Sequence, residues 1–446
     1  MNGRLTSLAA LFATAAFVAT GCSSGGGSSP TPAPAPAPSP PPPPAGSPAI
    51  QVLPAAFDFG KVTPGNTPAP LEVTITNTNT GTAQLSVSSI SLLAPTGSPF
   101  ALTLNGGSRP CGSSSPTLAT AASCTVQVAF LPTTGGPSFA STLQINSNAT
   151  NGSVVTLPIT ATSEMVTGWT LRINQIDVGA CPAATAYVSV IDQAGFPVTS
   201  LDDPNFTVAQ GTTSIFGFTV DLAQTTSPVA IAGVLDHSLS LTQQPVAFAD
   251  MKSGFSTFFG GLRTGDEGAV INFDTAVELV QDWTPNAALL QSVIATPWDK
   301  GPDTKLYDAA NLSVTETAKK TAFRRAAIIA TDGADNGVST VTLDTAISNA
   351  QTAKVPLFTV GIGSSINTTV LNRMAAETGG LFFEASTSQN LATIYKQLSS
   401  ILYGNQYVVK FNRGLGAPGS VTIVANTVPP SSLTANDTRP IAICPP

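Results

Sequence analysis

The sequence predicts a multidomain chain: a doubly wound α/β domain over residues 228–402, inserted in a β-sandwich built from 163–227 plus 403–446, behind a separate β-sandwich over 49–162. Three observations predict this. Continuous apolar runs at 229–235, 268–273, 326–330 and 356–360 alternate with apolar residues at helical spacing, as in a largely parallel sheet covered on both faces. The flanking segments alternate with period two between Gly, Asn and Pro clusters, as in antiparallel strands with one buried face. Residues 23–48 are Gly and Ser, then nearly all Pro and Ala, a composition that buries no core and reads as a flexible, then semi-rigid spacer.

From the N-terminus, Arg4 provides a short positive region, residues 5–18 are apolar, and Ala19-Thr20-Gly21 places small residues before Cys22. The apolar stretch is too short for a membrane span, and nothing later in the sequence is long and apolar enough for one. The segment resembles a bacterial lipobox. That resemblance implies a signal peptide over 1–21 and a mature N-terminus at Cys22 carrying thioether-linked acyl chains, with 22–48 as the stalk of a lipid-anchored envelope protein. Ser23 and Ser24 lack the Asp that resembles an inner-membrane retention signal, so the outer membrane is the preferred address, facing the periplasm or the surface.

In 49–162, Leu71, Val73 and Ile75 alternate, as do Cys124, Val126, Val128 and Phe130, and Val155, Leu157 and Ile159. The runs 57–62, 75–81 and 124–132 resemble an immunoglobulin-like module of the choice-of-anchor D and ASH group. The second β region carries Leu171, Ile173 and 187–191, and the tail returns to strand patterning with Tyr407, Val409, Phe411 and 421–424. Neither piece is large enough for a comfortable core alone, so one sandwich made from both is the simplest solution. Setting Cys22 aside leaves four of the five cysteines, an even number that allows three connectivities. Cys111–Cys124 with Cys181–Cys444 is preferred on domain grounds: the first closes a local loop, as the structural Cys pair of the resembled module does, and the second staples the two pieces of the sandwich. Both require an oxidising compartment.

Within 228–402, Met251, Phe255, Phe258, Phe259 and Leu262 fall on one helical face, as do Leu391, Ile394, Tyr395, Leu398 and Leu402. Ligands of such sheets bind beyond the carboxyl ends of the strands. Two chemistry-bearing segments stand there. Asp236-His237-Ser238-Leu239-Ser240 follows the first apolar strand, and Asp332 follows the third in Ile328-Ile-Ala-Thr-Asp-Gly333. Thr304 lies between them in Gly301-Pro-Asp-Thr-Lys305. Carboxylates and hydroxyls without Cys or His select a hard divalent cation, Mg²⁺ first, with Mn²⁺ able to substitute.

Together these residues resemble the metal-ion-dependent adhesion site of the von Willebrand factor A family, whose order is Asp-x-Ser-x-Ser, then Thr, then Asp. The resemblance implies a Rossmann-like domain that binds proteins. The hydroxyls of Ser238, Ser240 and Thr304 would contact the metal directly, and Asp236 and Asp332 would act largely through water. An Asp or Glu carboxylate of a protein partner would fill the sixth position. The alternative is a structural envelope or assembly protein whose metal site is unused.

A net charge of −7, with 10% charged residues and no Lys/Arg cluster, excludes the footprint of a nucleic-acid binder. His237 beside Ser238 invites a hydrolase reading. Sequence neighbours on an extended segment point opposite ways, and no Gly-x-Ser-x-Gly elbow is present, so no enzyme is expected. His237 reads as a loop residue near the site rim, Asp308 as capping or flanking a helix that begins around Leu306, and Asp335 as part of a solvated turn.

Overall fold

Every second residue of strand Leu71–Asn77 is buried, the pattern that one packed face imposes on a strand. This strand belongs to a four-stranded sheet with Ile50–Leu53, Ser123–Phe130 and Phe100–Thr103. Facing it is a five-stranded sheet of Phe57–Val62, Val154–Ser163, Ser138–Ser147, Leu85–Leu93 and Thr117–Leu118. Val73, Ile75, Val126, Val128, Leu143, Ile145, Leu157 and Ile159 fill one core between them. The expected antiparallel pairing fails at one place. Phe57–Val62 runs parallel to Val154–Ser163, with a register shift between Asp58 and Lys61 where Gly60 takes φ +70°. These strands lie near opposite ends of the module, so no hairpin dictates their direction. Cys111 is bonded to Cys124.

The coordinates are a computed structural model that describes residues 46–135, 138–223, 227–298, 300–364, 366–387, 390–416, 419–427 and 432–445. The expected signal peptide, Cys22 and nearly all of the spacer lie outside the described residues.

Strands from the two sides of the α/β segment interleave. Ala183–Asp192 pairs with Tyr407–Asn412, and Phe206–Gln210 pairs with Ser420–Asn426, both antiparallel. Two four-stranded sheets result, sharing a core of Ile173, Val188, Val190, Val208, Tyr407, Val409, Phe411, Val421 and Ile423. Cys181 is bonded to Cys444.

The α/β segment contains strands β1 (Val229–Asp236), β2 (Glu267–Phe273), β3 (Val277–Thr284), β4 (Arg324–Thr331), β5 (Leu357–Ile362) and β6 (Phe382–Ala385). Its helices are α1 (Leu239–Thr242), α2 (Pro245–Gly260), α3 (Ala287–Ala295), α4 (Leu306–Ala318), α5 (Leu343–Ala353), α6 (Thr368–Thr378) and α7 (Leu391–Tyr403). The sheet order is β3-β2-β1-β4-β5-β6. All neighbours are parallel except β2 and β3. Every residue of β1 is buried, as expected of a central strand with both faces covered. Helices α2, α3 and α7 pack on one face, and α4, α5 and α6 on the other.

The sequence reading misses β3 and β6. Both are edge strands; β3 is mostly half-buried and β6 is only four residues long, so neither shows a continuous apolar run. The two predicted apolar helical faces correspond to α2 and α7, which pack together through Phe255 and Tyr395 with ring centroids 4.9 Å apart. Gly254 permits this approach, because a Cβ there would lie 2.1 Å from the Tyr395 ring.

The α/β segment is tied to both neighbours. Arg439 donates to the carbonyls of Ala376 and Glu377 (both 2.7 Å) at the C-terminal end of α6, where a cation is favoured. Lys396 of α7 donates to the Thr67 carbonyl (2.7 Å), and Gln397 to that of Ala194 (2.9 Å).

Candidate metal centre

Strands β1 and β4 run parallel in register, with Leu235 opposite Ala330, so Asp236 and the residues after Ala330 leave the sheet side by side. Asp236 is fully buried. One carboxylate oxygen accepts from the Ser238 amide (2.8 Å), the other from the Thr331 hydroxyl (2.5 Å). Ser238 is the N-cap of α1 yet makes no side-chain capping bond, which leaves its hydroxyl for other partners. Its Oγ lies 3.1 Å from Ser240 Oγ, and Ser240 Oγ donates to Asp332 Oδ1 (2.8 Å). The remaining oxygen of Asp332 accepts from Gln244 Nε2 (2.8 Å).

Thr304 arrives from the loop before α4. The Leu239 amide donates to the Gly301 carbonyl (3.0 Å), and the Thr304 amide to Asn336 Oδ1 (3.2 Å). A Cβ placed on Gly333 would lie 3.7 Å from Thr304 Oγ1 and 3.9 Å from Ser240 Oγ, so both hydroxyls border the same small space. The structure therefore brings Asp236, Ser238, Ser240, Thr304 and Asp332 together at the carboxyl end of the sheet.

Burial pushes the Asp236 carboxyl up to about 6; bonds from Ser238 and Thr331 oppose this, and Asp332 adds to it. Asp332 is also raised, chiefly by burial. Two carboxylates whose ionised forms are disfavoured, beside the Ser238 and Ser240 hydroxyls bonded within the set and the Thr304 hydroxyl bordering the same space, fit a hard divalent cation. Among the described residues no group of three or more His, Cys, Asp or Glu side chains is placed to hold a metal. Here the oxygens come from two carboxylates and three hydroxyls.

Three expectations near the site need correction. His237 is only 2% exposed, not a rim residue. Its ring leaves the strand opposite Asp236 and meets Phe248 of α2 edge-on at 5.0 Å. Burial first, then Lys252 and Lys300, lowers its pKa to about 4, which keeps it neutral at pH 7. Neither ring nitrogen has a hydrogen-bond partner among the described residues.

Asp308 does not cap α4. It sits in the first turn and accepts from the amides of Thr340 (2.8 Å) and Val341 (3.0 Å), which hold it below the usual carboxylate range and pin the approach to α5. Asp335 plays the capping part instead, accepting from the Tyr307 amide (3.3 Å) and the Ser339 hydroxyl.

Sequence reasoning also misses Thr331 and Gln244, the donors that orient Asp236 and Asp332. Thr331 lies inside the motif Ile328-Ile-Ala-Thr-Asp-Gly333, where its hydroxyl on an otherwise apolar strand is the available signal. Gln244 carries none.

Residues 231–397 match the von Willebrand factor type A domain. Among solved structures, proximal thread matrix protein 1 from the mussel byssus is 19% identical with a TM-score of 0.38, over 44% of this chain and 51% of that one. The match thus spans about half the length of the mussel protein. Another structure of that protein, described as having a zinc-occupied MIDAS motif, is 18% identical over 42% of this chain and 49% of that one, with a TM-score of 0.38. The vWF domain of the type V pili tip protein Mfa5 from Porphyromonas gingivalis is 15% identical, over 39% of this chain and 94% of that one, with a TM-score of 0.33. Comparison with curated proteins gives no match. Residues 231–397 of this chain are a von Willebrand factor type A domain.

Proposed function

We propose that this chain is a lipid-anchored envelope protein that binds a protein partner through a divalent cation, Mg²⁺ or in its place Mn²⁺, and that it is not an enzyme. The convergence of the Ser238, Ser240 and Thr304 hydroxyls with Asp236 and Asp332, at the end of the sheet where ligands gather, carries this reading. When bound, the ion supplies a Lewis-acidic position for an Asp or Glu carboxylate of the partner. The hydroxyls would hold it directly, leaving it electron-poor. Asp236, oriented by Thr331, and Asp332, oriented by Gln244, would balance its charge from behind. In the same reading the α/β domain is doubly wound in the Rossmann-like sense. Residues 49–162 form an immunoglobulin-like module of the choice-of-anchor D and ASH kind. Cys22 carries the lipid, with the outer membrane as its address.

The test is binding of the full chain to an immobilised Gly/Ser peptide bearing one Asp. Binding is expected in millimolar Mg²⁺ and lost in EDTA and in Ser238→Ala. Undiminished binding in EDTA would favour a structural or assembly protein with an unused metal site. The anchor has its own check: labelling of the chain with a clickable palmitate analogue in a bacterial host is expected to disappear in Cys22→Ser.

A further inference from the structure

Strand β6 forms one edge of the six-stranded sheet. The Thr359 amide donates to the Leu381 carbonyl (3.0 Å) and the Gly363 amide to that of Ala385 (2.8 Å), with Thr359 opposite Phe382 and Gly361 opposite Glu384. In a parallel pair this register turns the main chain of Leu381, Phe383 and Ala385 toward β5. Phe382 and Glu384 therefore direct both their N–H and C=O groups outward. Among the described residues none of these four groups has a hydrogen-bond partner. Both residues border a cavity of about 410 Å³, a volume within the range of ligand sites. Its other walls come from Lys61 of the N-terminal sandwich, Arg172 and Gly195 of the interleaved one, and Thr393 of α7.

Of the two cations in these walls, Lys61 is paired with Glu164 (3.0 Å), whereas Arg172 forms no ion pair among the described residues. Arg172 Nη1 donates to the Leu171 carbonyl (3.0 Å), and its Nε is buried without a partner among the described residues. Asp437, the acid whose field reaches it, is held by Arg439 (3.0 Å) and by the Ile173 amide (2.9 Å). Asp299, the one acidic residue outside the described ones, follows Trp298, which bonds to Val293 of α3 (3.4 Å). Helix α3 packs on β2 and β3, at the opposite edge of the sheet. An unpaired main-chain edge and a half-buried guanidinium thus share one cavity.

We propose that this cavity is a second binding site, which takes the C-terminal end of an extended peptide as an added strand on β6, with the terminal carboxylate on Arg172. An extended chain presents N–H and C=O groups with the period of two that Phe382 and Glu384 offer. The outward edge spans about three residues, roughly 10 Å, which suits a chain end better than a through-running segment. Glu384 also lines the cavity and repels an acid at its own end, so the carboxylate lies toward Arg172. The site shares no residue with the metal centre and stands independently of it.

The test titrates the full chain, in EDTA, with a library of fluorescent Gly/Ser peptides whose last three residues are varied. The best binder is then remade as its C-terminal amide and in two forms N-methylated at alternate residues. The free acid is expected to bind roughly tenfold tighter than the amide, the scale of one charge-assisted hydrogen bond. One methylated form is expected to bind and the other to fail, because only alternate N–H groups of an added strand face β6. Arg172→Gln removes the advantage of the acid. Glu384→Pro abolishes binding and leaves the sheet intact, since the Glu384 N–H faces away from β5 and proline keeps every β5 bond. Equal binding of acid and amide overturns the role of Arg172, and equal binding of the two methylated forms overturns strand addition. No binder in the library at millimolar concentration overturns the site. A dimer of the chain that Glu384→Pro dissolves, without peptide binding, assigns the edge to a second copy and overturns the peptide reading as well. Because EDTA is present throughout, none of these outcomes bears on the metal-dependent reading.

Discussion

Replacing Arg324 by methionine is expected to destabilise the chain by on the order of 3–5 kcal/mol, because two buried acceptors and one half-buried acceptor lose their donor, at about 1–3 kcal/mol for each buried one. Arg324 opens β4 and is 3% exposed. Its guanidinium donates to the Ser227 carbonyl (2.9 Å), just before β1, and to the Leu402 carbonyl (2.8 Å), near the end of α7. It also donates to Gln406, where the chain re-enters the strands of the flanking β domain. One side chain thus fastens the entry and the exit of the α/β segment. Burial lowers its pKa to about 10, which still leaves it charged at pH 7. Methionine fills similar volume without the donors, and lysine, with a single ammonium, is expected to recover only part of the loss. Urea unfolding of the full chain measures the difference. A change below about 1 kcal/mol would show that water satisfies these acceptors and that the arginine is not the fastener.

The second large effect is the response of Asp236 to pH, which has opposite signs with and without metal. Its folded pKa of about 6 lies above the ordinary 3.8, so the folded state holds the proton more tightly than the unfolded chain does. In metal-free protein the associated stability is fully present below about 4 and is lost as pH rises through about 6. That interval corresponds to on the order of 3 kcal/mol. Asp236→Asn stays neutral throughout. In EDTA at pH 7.5 this variant is therefore expected to be more stable than wild type, with the gap closing as pH falls to 4. With Mg²⁺ the order reverses at pH 7.5, because the cation requires the carboxylate, and the metal-dependent gain shrinks as pH falls through 6. Thermal unfolding of both proteins across pH 4–8, with and without Mg²⁺, checks both signs. A pH-independent gap in EDTA would mean that burial does not govern Asp236.

Most of the centre is legible in the sequence because its chemistry is local. Asp236, Ser238 and Ser240 follow one apolar strand within five residues, and Asp332 follows another. What the pattern does not carry is the set of contacts that hold those residues. Gln244 reaches Asp332 across 88 residues, and Asp335 caps α4 from 28 residues away. His237 looks solvated in sequence because polar residues surround it, yet Phe248 covers it in three dimensions. Strand detection shows the same limit. The central strand β1 announces itself by continuous burial, whereas edge strands such as β3 keep one face partly wet and lose the apolar signature. The parallel pair of Phe57–Val62 and Val154–Ser163 depends on how the module closes, which alternation alone does not encode.

The measurement that bears most directly on the metal-dependent reading is thermal unfolding of the full chain at pH 7.5 in EDTA and in millimolar Mg²⁺ or Mn²⁺, with Asp236→Ala in parallel. An ion at about a hundred times its dissociation constant stabilises the fold by roughly 2.7 kcal/mol. The expected result is a clear rise in the wild-type midpoint with either ion and none in Asp236→Ala. An unchanged wild-type midpoint, or an equal rise in the variant, would contradict a cation site built on these five residues.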